Sequence, residues 1–133
     1  MSAVAAAPEL FKCAVGYSGI YDLPKILDRI ERMKLPAETA YLTSLLKTAP
    51  QDLHDFSPVN RAEKITADVL LLHDSHHPLI SVDQSKRLRA ALARVGREPQ
   101  WHLNKGESDS FWGQDDRIET YRIIMNFLAK NLK

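Results

Sequence analysis

The chain has 133 residues, 44% of them hydrophobic and 26% charged, which suits one globular domain with a real core and excludes a disordered or membrane-embedded chain. The 18 Lys and Arg against 17 Asp and Glu leave a net charge of +1, scattered along helix patterns rather than gathered into a stripe, so nucleic acid is not expected as a partner. The single cysteine, Cys13, can make no intrachain disulfide, and its "FKCAVGY" surroundings read as strand packing in a reducing, cytoplasmic setting.

In chain order, "AVAAA" looks like the tail of a helix stopped by Pro8, and it lacks the basic region and long apolar core of a signal peptide. "FKCAVGYSG" (11 to 19) is rich in strand formers and reads as a buried strand closed by Gly19. Asp22 is a plausible N-cap for a helix with Leu23, Ile26, Leu27 and Ile30 at helical spacing. After Pro36 a second helix is expected, with Tyr41, Leu42, Leu45 and Leu46 on one apolar face, ended by Pro50.

Residues 51 to 66 read as a connector with short helical turns, anchored by Phe56, Val59 and Ile65. "ADVLLLHD" is a continuous apolar run, as a parallel strand covered on both faces requires. Next comes a helix, "SVDQSKRLRAALARVG", with Val82, Leu88, Ala91, Leu92 and Val95 pointing one way, Arg87, Arg89, Arg94 and Arg97 solvated, and Gly96 as cap. "EPQWHLNK" is a third strand, with Trp101 and Leu103 on one face. After the polar loop "GESDSFWGQDD", in which Trp112 reads as a cover for the loop, a last helix places Tyr121, Ile124, Phe127 and Leu128 in the core. No apolar run reaches membrane-spanning length. The order of elements predicts a single three-layer α/β domain over residues 1 to 133, a short parallel sheet of about three strands flanked by helices.

The stretches "PELFKCAVGYSGIYDL", "SPVNRAEKITADVLLLH", "SKRLRAALARVGREPQW" and "FWGQDDRIETYRIIMNFLAKNL" resemble the C-terminal half of the α/β-hydrolase domain of the prolyl oligopeptidase family, most closely its acylaminoacyl-peptidase-like members. The resemblance implies a partial α/β-hydrolase fold and a Ser–Asp–His triad in that chain order, with the serine on a G-x-S-x-G elbow. In such relatives the elbow precedes the segment matching "APELFKCAVG", so the nucleophile is expected to be absent from this chain. "GYSGI" (16 to 20) resembles an elbow, but Ile20 stands at its fifth position, and Ser18 reads as a strand end turning into a loop.

The family's acid lies in an H-G-x-x-D-x-x-V-P pattern. Counting from His73 places Asp74 at the Gly and His77 at the acid. The family's base lies in a G-E-G-H-G-F turn; here that turn is "GESDSF", with Asp109 at the His and Ser108 and Ser110 at the glycines. His77 and Asp109 are thus degenerate triad positions, and changes gathered at one site fit either engineered loops or decay without catalytic constraint. If the two loops meet, His77 and Asp109 are expected to form an ion pair with exchanged positions.

Asp74, His76, His77 and Asp83 invite a metal reading, but no ligand spacing supports a closed site, and a solvated loop is favoured; no cofactor is implied. The preferred reading is a non-catalytic α/β scaffold or self-assembling module. A homodimer is expected through the strand edge at residues 12 to 18, with Cys13, Ala14, Val15, Gly16 and Tyr17 at the interface and no membrane partner. The alternative is a serine peptidase or esterase fragment, active only when complemented by an N-terminal half.

Overall fold

A computed structural model describes residues 1–45, 50–105 and 114–133. Three parallel strands, β1 (Cys13–Tyr17), β2 (Asp68–Asp74) and β3 (Gln100–Asn104), form one sheet in the order β1-β2-β3. The register pairs Cys13 with Asp68 and Leu70 with Gln100. Among the described residues six α-helices accompany them: α1 (Ser2–Ala6), α2 (Leu23–Arg32), α3 (Pro36–Leu45), α4 (Pro50–Phe56), α5 (Asp83–Arg94) and α6 (Gln114–Asn131).

The apolar run of β2 is explained by its position between two half-cores. Strand side chains alternate between faces, and here Val69 and Leu71 enter one cluster with Val4 and Ala5 of α1 and Leu88 and Leu92 of α5. Leu70 and Leu72 enter the other, with Phe127, Ile123, Ile124 and Leu128 of α6. Leu70, Leu71 and Leu72 are fully buried, each contributing about 1.5–3 kcal/mol relative to an exposed side chain. Helices on both faces of a parallel sheet make the three-layer α/β arrangement that the sequence predicts.

Local signals account for the helix boundaries. Asp22 caps α2, its carboxylate accepting the Lys25 N–H at 3.2 Å, and Ile26 and Ile30 are wholly buried. Gly96 ends α5 with a left-handed φ of +75°, while Gly96 N–H and Arg97 N–H bond back to Ala93 and Leu92 carbonyls. The connector from 51 to 66 contains α4 and two 3-10 turns, Pro58–Asn60 and Ala62–Lys64. Buried Ser57 ties them to α2, donating to the Leu53 carbonyl at 2.7 Å and accepting Leu23 N–H at 2.9 Å.

Several expectations are corrected. Pro50 opens a further helix, α4, as suits a residue with no N–H to donate, while residues 46–49, over which the preceding helix is expected to run, lie outside the described residues. Phe56, at the end of α4, is exposed rather than an anchor, and Val95 lies beyond the last turn of α5 and is also exposed. Tyr121 is 66% exposed, because α6 turns Thr120, Ile124 and Phe127 toward the sheet instead. Tyr41 is exposed as well, and the side chains of Leu42, Leu45 and Leu46 lie outside the described residues. Among the described residues no helix is long and apolar enough to cross a membrane.

Gly16 shows how tightly β1 meets its loop. A Cβ there would overlap Tyr21 Oη and sit 3.2 Å from Leu71 Cδ2. The phenol is carried on a buried, rigid ring and cannot swing aside. Gly16→Ala is therefore expected to destabilise the fold by about 1–3 kcal/mol, measured as a lowered urea midpoint; an unchanged midpoint would show that Tyr21 does not hold this position.

Candidate functional site

In open parallel sheets, ligands and catalytic groups gather at the carboxyl ends of the strands. Here those ends carry Tyr17 and Ser18 after β1, His73 and Asp74 at the end of β2, and Asn104 at the end of β3. The centre of this region is a buried polar cluster. His73 has 0% exposure, its Nδ1 lies 2.7 Å from Ser85 Oγ, and its Nε2 lies 3.0 Å from the Ile80 carbonyl oxygen. A carbonyl can only accept, so Nε2 carries the proton and Nδ1 accepts from the Ser85 hydroxyl. Burial pulls the His73 pKa below its ordinary value, with the Ile80 carbonyl opposing that shift.

Gln84, next to Ser85 in the first turn of α5, performs the matching task for the loop after β1. Its Oε1 accepts both Tyr21 N–H at 2.8 Å and Asp22 N–H at 2.7 Å, and its Nε2 donates to the Asp22 carbonyl at 3.0 Å. Tyr21 Oη lies near Gly19 and Ser85 without hydrogen-bond geometry to either, so burial dominates and raises its pKa to about 12.

The loop after β2 is a chain of local backbone captures. Asp74 Oδ1 accepts His76 N–H at 3.2 Å, and the Asp74 carbonyl accepts His77 N–H at 3.2 Å. The His77 imidazole then folds onto the following residues, its Nδ1 accepting Ile80 N–H at 2.9 Å and Leu79 N–H at 3.3 Å. This fixes Nδ1 as an unprotonated acceptor and leaves the ring's proton on Nε2. The His77 ring meets the His73 ring edge-on, with centroids 6.4 Å apart.

The sequence-predicted site residues therefore have distinct fates. Asp74 is buried at the strand end, His77 is half-buried in its turn, and His76 is exposed, its Nδ1 3.0 Å from Ser75 Oγ. Asp74, His76 and His77 are not drawn to a common point, and among the described residues no three His, Cys, Asp or Glu side chains form a metal-binding group. Ser18 has a left-handed φ of +39°, is buried, and accepts Asp74 N–H at 3.2 Å. Among the described residues no His, Asp or Glu side chain hydrogen-bonds to the Ser18 hydroxyl, and the buried imidazole of His73 is committed to Ser85. Asp109, Ser108, Ser110 and Trp112 lie outside the described residues.

Sequence reading overlooks His73, Ser85 and Gln84 as a unit. The signal is present for two of them. Strand alternation puts His73 on the face of Val69 and Leu71, and helical spacing puts Ser85 on the face of Leu88 and Leu92, so the two polar groups must meet between β2 and α5.

Set beside known proteins, the chain matches the model of the Prolyl oligopeptidase family over residues 1–133. No curated protein matches it. Among solved structures it is similar to the uncomplexed Pyrococcus horikoshii acylaminoacyl peptidase, with 19% identity and a TM-score of 0.78 over 99% of this chain and 22% of that one. It also resembles a Mycobacterium tuberculosis puromycin-hydrolyzing peptidase, with 29% identity and a TM-score of 0.69 over 80% of this chain and 16% of that one. The chain thus spans about a fifth of the length of these structures, and its sheet and flanking helices form part of an α/β-hydrolase fold.

Two outcomes follow from the buried cluster. The unfolded chain restores His73 to its ordinary pKa of 6.5, while the folded chain holds it lower. The contribution is thus fully favourable above that value and is lost as pH falls toward the folded pKa. His73→Gln is expected to flatten the acid-side decline of the urea midpoint between about pH 8 and pH 5, whereas parallel curves for the two proteins would remove His73 as its source. Gln84→Ala leaves Tyr21 and Asp22 N–H groups without their acceptor and is expected to cost about 1–3 kcal/mol, read from the same urea unfolding curves.

Proposed function

The chain belongs to the prolyl oligopeptidase family, and within it we propose that these residues act as a non-catalytic module of the α/β-hydrolase fold, a scaffold or assembly unit rather than a working peptidase. The observation that carries this reading is the state of His77. At the position where the family resemblance expects a carboxylate to orient the base, an imidazole spends its lone pair on the Leu79 and Ile80 amides. A neutral ring tied in this way offers no negative charge to stabilise an imidazolium. At the base position Asp109 supplies a carboxylate, whose ordinary pKa is poorly matched to relaying a serine proton at neutral pH. By the family resemblance, complementation by an elbow-bearing half would supply a serine without the expected acid or base, and so would not restore the relay.

Assembly is the positive side of the proposal. On either side of β1, the Lys12 carbonyl accepts Asp68 N–H and the Ser18 N–H donates to the Leu72 carbonyl of β2. Parallel-strand alternation then turns the backbone groups of Ala14 and Gly16 to β2 and those of Cys13 and Val15 outward. Such an edge is a pairing template. Above it, α6 exposes Ile118, Tyr121 and Met125, and an apolar recess of about 170 Å³ lies between Tyr17 and α6. A second copy related by a two-fold axis would pair the two β1 edges antiparallel and give each recess a partner side chain.

Two measurements test the proposal. The 133-residue chain should resist labelling by a fluorophosphonate probe and show no ester turnover, and labelling of any serine would contradict the non-catalytic reading. Light scattering should give a dimer that Val15→Pro converts to a monomer, since proline removes an outward N–H without touching the β1–β2 ladder. A monomeric wild-type chain would end the edge-pairing proposal.

A further inference from the structure

A cavity of about 370 Å³ opens between α2 and the first turn of α5, beside the loop after β2. That volume is within the range of small-molecule sites. Its walls carry four cations, Lys25, Arg29, Arg32 and Arg87, and two carboxylates, Asp28 and Asp83. Each carboxylate is already engaged by an arginine one helical turn along its own helix: Arg32 pairs with Asp28, and Arg87 Nε lies 2.6 Å from Asp83 Oδ2. Lys25 and Arg29 are left with no carboxylate partner among the described residues.

Arg29 is also held in place. Its Nε donates to the Leu79 carbonyl oxygen at 2.8 Å, which anchors the half-buried guanidinium to the loop after β2, and its Nη donors have no hydrogen bond among the described residues. A guanidinium fixed through Nε presents a planar pair of donors of the kind that grips carboxylate or phosphate oxygens. Lys25, one turn earlier on α2, adds a point charge on the same helix face. Ser81, which also lines the cavity, accepts Asp83 N–H at 3.3 Å through its hydroxyl oxygen and so retains a hydrogen to donate.

We propose that this cavity is a binding site for a small molecule bearing a multi-oxygen anion, a phosphate or paired carboxylates, gripped by Arg29 and Lys25 with Ser81 as a neutral donor. The net excess of cations over carboxylates in the walls favours a dianionic group over a single negative charge. The site is independent of triad chemistry. Because Arg29 also holds Leu79, occupancy stabilises the loop that contains His77.

The test uses the full chain with inorganic phosphate and with succinate, each against sodium chloride at matched ionic strength. Thermal melting should rise with at least one of the two anions above the chloride control. A response to phosphate alone or to succinate alone assigns the oxyanion source, and a response to both supports a general dianion site. Calorimetric titration should show Kd weakened about tenfold by Lys25→Ala, an exposed position that does not threaten folding, and by Arg29→Gln. No response beyond chloride, or equal Kd in wild type and the double variant Lys25→Ala/Arg29→Gln, overturns the proposal.

Discussion

The constraint on which the rest depends is the satisfaction of polar groups where β2 meets the start of α5. A strand buried on both faces must deliver its last residues to loops without leaving donors and acceptors stranded in a dry environment. His73 meets this requirement by bridging Ser85 and the Ile80 carbonyl, and Gln84 meets it by capturing two amides and a carbonyl of the loop after β1. Two adjacent residues of one helical turn thus fix both loops at the strand ends. The hydrophobic half-cores supply most of the stabilisation, but this cluster determines where the loops lie.

Once those loops are fixed, the chemistry of the strand ends narrows. The turn from Asp74 to Ile80 is closed by side-chain acceptors on its own backbone, first Asp74 and then His77. His77 spends the single lone pair of its neutral ring on this turn, which leaves that ring no acceptor for a metal ion or a reacting substrate. The same economy applies to Ser18, whose hydroxyl accepts an amide from Asp74. The cations of α2 are differently placed: among the described residues neither Lys25 nor Arg29 has a carboxylate partner.

The layout of the fold was legible because its periodicities are strong. The run from Val69 to Leu72 could only be a strand covered on both faces, and Asp22 and Gly96 mark helix ends through capping chemistry. Side-chain burial in α6 was less legible, since Tyr121 and Phe127 both belong to an apolar pattern and only docking on the sheet decides which one faces inward. Phe56 misled for a similar reason: an isolated aromatic in a connector carries no periodicity to orient it. At the site, counting from His73 located His77, yet the count treated His73 as a landmark. Its partnership with Ser85 depends on two elements meeting, which no single window of sequence displays. Gln84 was less visible still, because a glutamine at a helix start ordinarily faces water.

The His77 imidazole acts as a structural acceptor for the Leu79 and Ile80 amides, closing the turn after β2. Long-range nitrogen–proton NMR on the imidazole of His77 tests it most directly, because the two ring nitrogens give distinct signatures when one is protonated and the other accepts. The account predicts an unprotonated Nδ1 and a protonated Nε2 in the neutral ring, with slow hydrogen exchange at the Ile80 amide. A proton on Nδ1, or rapid exchange at Ile80, would show that His77 is not holding this turn and would contradict the account.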